Sequence, residues 1–131
     1  MPQIDWTDNL NVDLPMIDEQ HKKLISLSNG LLQAMVNGMG QDVLEDTFKE
    51  LRDYTCYHFD DEEKYMQEIG YPHIDAQRAA HKKLTQDVDA FHDRLLNDNV
   101  SPNDVLDFIN GWIINHITQM DSKIAEFVKN Q

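Results

Sequence analysis

LEDTFKELRDYTCYHFDDEEKYMQEI, residues Leu44 to Ile69, is the stretch that decides the fold. Its apolar residues Leu44, Phe48, Leu51, Tyr65 and Ile69 recur at steps of three and four, or their multiples. That is one face of an α-helix and not the two-residue alternation of a strand. The same stripe carries Thr55, His58 and Glu62, polar groups where a core helix wants Leu or Val. The helix is predicted to begin near Gln41 or Asp42 and to end at Gly70, a residue suited to the left-handed position that closes a helix.

Three more amphipathic segments flank it. Upstream, Asp18 is the expected N-cap of a helix carrying Leu24, Leu27, Leu31 and Met35, with His21 beside that stripe and Gly38 and Gly40 beyond its end. Residues 1–17, with Ile4, Trp6, Leu10, Val12 and Leu14 ahead of Pro15, read as an extended arm. Downstream, Pro72 suits the first turn of a third helix with the stripe Gln77, His81, Leu84, Val88, Phe91 and Leu95, ending near Asn97 to Asn99. Ser101 and Pro102 suit the N-cap and first position of a fourth, with Asp104 in its first turn. Its apolar face holds Val105, Ile109, Trp112, Ile113, Ile117, Ile124 and Phe127, and His116 follows Trp112 by four. The expectation is an all-α protein: an up-down-up-down antiparallel four-helix bundle over 18–131 with an extended N-terminal arm over 1–17, in one domain.

Composition narrows the function. The 131 residues fit one domain with a real core. Acidic residues number 24 against 11 Lys and Arg, a net charge of -13, which makes nucleic acid and anionic membranes poor partners. Cys56 is the single cysteine, so no internal disulfide forms and a reducing compartment, most simply the cytoplasm, is expected. No run of about 18 apolar residues and no signal-peptide pattern is present, which argues against membrane insertion and export.

The inward polar residues carry the chemistry. His21, His58 with Glu62, Gln77 with His81, and His116 fall on inner faces of all four helices. Buried imidazoles and carboxylates must be hydrogen-bonded, paired or bound to metal. A lone inward histidine is more often a satisfied core residue, but a set drawn from every helix of a bundle is how bundles build metal sites. Histidine and carboxylate without thiolate suit iron, zinc or manganese. No glutamate has a histidine three residues later, so the Glu-x-x-His pattern of ferritin-like di-iron proteins is absent. Asp60, Asp61, Glu63 and Asp87 read as a solvated outer surface without chemistry, and the aromatic and Met residues as core.

In order along the chain, Trp6, Ile17-Asp18-Glu19-Gln20-His21, His58-Phe59-Asp60-Asp61-Glu62-Glu63, Tyr71-Pro72 with His81, and Trp112 through His116 to Asp121 resemble the hemerythrin family, and within it the single-domain bacteriohemerythrins. The resemblance implies two non-heme iron ions with an oxo or hydroxo bridge and reversible binding of dioxygen. It assigns His21 and His58 to the iron that receives dioxygen, His81 and His116 to the other iron, and Glu62 and Asp121 as bridging carboxylates. In the family pattern five histidines, the two bridging carboxylates and one oxygen bridge fill about eleven of the twelve positions of two six-coordinate irons and leave about one open. Dioxygen is the implied partner, an oxygen-consuming enzyme a candidate recipient, and a monomer the expected state. The implied role is carrier, store or sensor and not enzyme. The alternatives are a peroxidase-like or nitric-oxide-reactive enzyme, and an iron-binding or storage module.

One position departs from the family pattern: Gln77 stands where a fifth histidine is expected, four residues before His81. The spacing keeps it on the ligand face, but an amide oxygen is a weaker donor than imidazole, so the second iron is expected to be more loosely held. His73 and His92 lie about 12 and 16 Å along the helix from His81, too far to substitute. Asp121 raises a second question. Five residues on an ideal helix turn it about 140° from His116, so it must approach from the flank or across a local distortion.

Overall fold

The computed structural model describes residues 5–97, 101, 104, 107–108 and 110–130. Helix α1 spans Pro15–Val36, α2 Gln41–Ile69 and α3 Ile74–Leu96. The fourth helix, α4, is described over 110–129 as two π-helical stretches, Asn110–Ile114 and His116–Asp121, that run into an α-helical end, Ser122–Lys129. No strand occurs among the described residues, and the four helices form the predicted bundle.

The predicted stripes meet in its centre. Leu24 and Leu31 of α1, Phe48 and Leu51 of α2, Val88, Phe91 and Leu95 of α3, and Ile113, Ile117 and Ile124 of α4 are all buried. Phe48 and Phe91 stack at 6.3 Å across the α2–α3 seam; truncating either to Ala would cost about 3–5 kcal/mol. Such packing sets the helix spacing that the polar part of the bundle inherits.

Three boundaries differ from expectation, each for a local reason. α1 begins at Pro15, not after Asp18, because proline's missing N–H and fixed φ suit the first helical position. Asp18 instead accepts the Val12 N–H at 2.9 Å, tying the arm to α1. The arm is not wholly extended: it makes a 3-10 turn over Asp8–Leu10 and buries Leu10, Val12 and Leu14. Pro72 lies in the turn before α3, which starts at Ile74. Gly70, at φ +70°, reverses the chain there, and the Tyr71 N–H returns to the Met66 carbonyl at 2.9 Å.

Ser101 behaves as the expected N-cap. Its Oγ accepts the Asp104 N–H at 3.2 Å while an Asp104 carboxylate oxygen accepts the Ser101 N–H at 3.0 Å, a reciprocal capping pair. The readings of Ile4, Pro102, Val105 and Ile109 lie outside the described residues.

Candidate metal centre

Toward the end of the bundle where α1 and α3 begin and α2 ends, the apolar core gives way to a buried polar cluster. His21 from α1, His58 and Glu62 from α2, Gln77 and His81 from α3, and His116 and Asp121 from α4 are each no more than 4 % exposed. Every candidate read from the sequence is therefore buried. Six of the seven sort into two groups in which the donor atoms lie within 4.8 Å of one another: His21, His58, Glu62 and Asp121, and Glu62, His81 and His116. Gln77, one turn from His81, is buried with its Oε1 unpartnered.

Glu62 and Asp121 turn one oxygen to each side. Glu62 Oε2 lies 3.2 Å from His58 Nε2, and Oε1 lies 3.1 Å from His81 Nε2 and 3.3 Å from His116 Nε2. Asp121 Oδ2 lies 2.8 Å from His21 Nε2, and Oδ1 lies 3.1 Å from His116 Nε2. His81 Nε2 and His116 Nε2 are 3.3 Å apart. Neighbouring donors on a metal with bonds of about 2.1 Å sit roughly 3 Å apart, which is the spacing seen here. His21 Nε2, His58 Nε2, Glu62 Oε2 and both Asp121 oxygens nonetheless make no aligned hydrogen bond. Their lone pairs converge without satisfying one another. A buried set of that kind is costly without cations, so these residues fit a pair of metal ions.

The distortion in α4 explains Asp121. Between His116 and Asp121 the helix follows the π pattern, whose i→i+5 hydrogen bonds bring residues five apart onto one face. A regular α-helix would leave that carboxylate about 140° away.

The outer ring nitrogens fix which way the lone pairs point. His58 Nδ1–H donates to Gln20 Oε1 at 2.7 Å, and the Gln20 amide is oriented by its own Nε2 donating to Asp61 at 2.7 Å. His81 Nδ1–H donates to Glu63 at 2.9 Å, and Arg78 reaches the other Glu63 oxygen at 3.4 Å. With Nδ1 committed as donor, Nε2 of each ring faces inward as a bare lone pair. Phe59 stacks flat on His81, centroids 4.0 Å apart and planes within 4°. The sequence reading missed these supports: Asp61 and Glu63, taken as solvated surface, are half-buried and orient the rings. Asp60 is exposed and Asp87 pairs with Lys83 at 3.3 Å, as that reading held.

Charge follows the geometry. Burial disfavours the ionised form of Glu62, yet His116, His58 and His81 around it hold its carboxyl well below the ordinary carboxylate range. Burial likewise opposes a proton on His116, but the Asp121 and Glu62 carboxylates overcome it and push the ring up to about 10. Burial wins at His58 and lowers it, against the pull of Glu62. Without metal, then, a proton on His116 supplies positive charge between the two carboxylates.

The family model for the Hemerythrin HHE cation binding domain matches residues 12–128. The chain belongs to the hemerythrin family. Hemerythrins are dioxygen-binding proteins built on a non-heme di-iron centre, and this chain shares the four-helix bundle of the family. It is 31% identical over 124 residues to the bacteriohemerythrin of Stenotrophomonas maltophilia, covering 95% of this chain and 80% of that one. To the bacteriohemerythrin of Clostridium acetobutylicum it is 27% identical over 126 residues, 92% of this chain and 98% of that one. A crystal structure of wild-type hemerythrin superposes with a TM-score of 0.85 at 25% identity, over 95% of this chain and 97% of that one. Among the described residues no helix is long and apolar enough to cross a membrane.

Proposed function

We propose that this hemerythrin binds dioxygen reversibly at two irons, held by His21 and His58 on one side and by His81 and His116 on the other. Glu62 and Asp121, each with an oxygen near both histidine pairs, would serve both irons, and Gln77 would be the weak donor of the second side. The observation that carries the reading is the division of both carboxylates, each turning one oxygen toward each histidine pair. When bound, a non-heme iron pair supplies the electrons and the open position that reversible dioxygen binding requires. The chain's own part is to aim and to exclude. Gln20 and Glu63 fix the rings of His58 and His81 with Nε2 inward. Trp112, Ile113 and Ile117 are buried in α4 beside the ligands and keep water and protons from the centre.

Metal analysis together with the visible spectrum of the reduced protein, before and after dioxygen, tests this. About two irons per chain and a band that appears with dioxygen and reverses on its removal are expected. Irreversible bleaching, or no band, would overturn it. Gln77 favours a second reading, a peroxidase-like or nitric-oxide-reactive enzyme, because a weak donor leaves a second exchangeable position. Sustained turnover of peroxide with a reducing co-substrate would establish that reading, and a carrier shows none.

A further inference from the structure

Two of the four candidate ligand histidines have an acceptor behind the ring, Gln20 for His58 and Glu63 for His81. Nδ1 of His116 is buried with no hydrogen-bond partner, as is that of His21. An imidazole that gives its Nε2 lone pair to a metal carries its proton on Nδ1, and metal-bound histidines nearly always donate that N–H. His116, 4 % exposed, also forms part of the wall of a cavity of about 550 Å³ between α3 and α4. Its Nε2 is turned to Glu62, Asp121 and His81, none of which lines that cavity, so the residue borders the cavity with its outer side. We propose that the cavity binds a small neutral aromatic molecule bearing a carbonyl oxygen, which accepts the His116 Nδ1–H. That hydrogen bond rests on the two-metal reading above.

Size, walls and mouth select that chemistry. The volume lies within the range of small-molecule sites, roughly 300–1,000 Å³. Leu84, Phe108, Trp112 and Met120 make the walls apolar, and Phe108 and Trp112 meet edge to face at 6.5 Å and 66°, an arrangement that a third ring extends. Gly111 leaves part of the α4 wall open. Its φ lies outside the left-handed region, and a Cβ there would meet nothing within 4 Å. Neither backbone nor packing calls for glycine, among the poorest helix formers, so what the missing side chain provides is room. At the mouth Lys83 is paired with Asp87 at 3.3 Å and Asp107 is exposed, which leaves a surplus of negative charge on a chain of net charge -13. A carboxylate is repelled there, whereas a neutral carbonyl brings the acceptor without the charge.

The test uses the full chain loaded with zinc(II), which is diamagnetic and so leaves NMR signals sharp, and benzamide as the probe. Metal content is measured first, and about two ions per chain are expected. Benzamide should then shift the His116 Nδ1–H and Trp112 indole N–H signals saturably at one molecule per chain, with nuclear Overhauser contacts to the Phe108 and Trp112 rings. Benzoate, which adds a charge, and toluene, which lacks the oxygen, should each bind at least tenfold more weakly. Gly111→Leu from α4 and Ala80→Phe from α3 fill the cavity and should each weaken benzamide at least tenfold while metal content stays the same. With both ions bound, the absence of a saturable shift, contacts to other rings alone, or benzoate or toluene binding as tightly as benzamide overturns this inference alone. Undiminished binding to either variant that keeps its metal does the same. Fewer than two ions per chain overturns the two-metal reading and this inference with it.

Discussion

The His21–His58 side of the centre is a four-donor group in which His58 leans on a neutral amide, Gln20. The His81–His116 side, which faces the other oxygen of Glu62 and of Asp121, is the one in which His81 leans on a carboxylate, Glu63. A carboxylate behind an imidazole makes the ring a stronger donor than an amide does. The side that lacks a histidine at position 77 therefore has the better-backed ring, with Phe59 stacked on it as well. A weak amide donor at Gln77 and a better-backed ring at His81 thus oppose each other on one side of a pair of carboxylates common to both. The largest test removes one of those carboxylates: Glu62→Ala takes a donor from both groups, and metal content should fall from about two ions per chain to fewer than one. A variant that keeps one side fully loaded would show that the two sides do not share Glu62.

A smaller effect separates the sides. Glu63→Gln should weaken metal binding on the His81–His116 side by about 10–100-fold and leave the other side unchanged, since removal of such an outer partner typically costs that much. Gln20→Leu should act on the His21–His58 side alone and more weakly, at about tenfold, because the bond lost is to a neutral amide. Competitive titration with a chelator of known affinity reads both. Equal losses, or loss on the wrong side, would end the comparison.

How far the sequence goes can be judged on particular residues. His58 and Glu62 were legible because they interrupt an apolar stripe of known period, and the fold because four such stripes follow one another. Asp61 and Glu63 were misread because acidic residues off the stripe ordinarily face water. Yet each lies about 100° around the helix from Glu62, on opposite sides, which aims one at α1 and the other at α3. With four helices already placed in order, that angular argument was available. The π stretch of α4 was visible only as a mismatch: two ligands five residues apart on a helix whose period cannot align them. Propensity does not announce a π segment, because packing and the site itself hold it there. The start of α1 was displaced by Pro15, where two uses of proline, breaker and first-turn residue, compete.

The smallest effect concerns the proton that His116 holds when no metal is bound. The ring faces Asp121 at 3.1 Å, Glu62 at 3.3 Å and His81 at 3.3 Å, and the two carboxylates push it up to about 10. Its value in the unfolded chain is about 6.5. A group raised on folding contributes its full stability below the unfolded value and loses it as pH rises through the folded one. Between pH 7 and 9 the metal-free protein should thus lose up to about 1.4 kcal/mol per pH unit, a fall in Tm of several degrees per unit at this size. Metal takes the place of that proton, so the loaded protein should show no such slope and should release protons as it loads. Thermal melts of both forms across this range, with His116→Leu as a third sample, decide the matter. A metal-free protein whose Tm is flat from pH 7 to 9 would mean that the buried carboxylates draw their positive charge from somewhere other than His116.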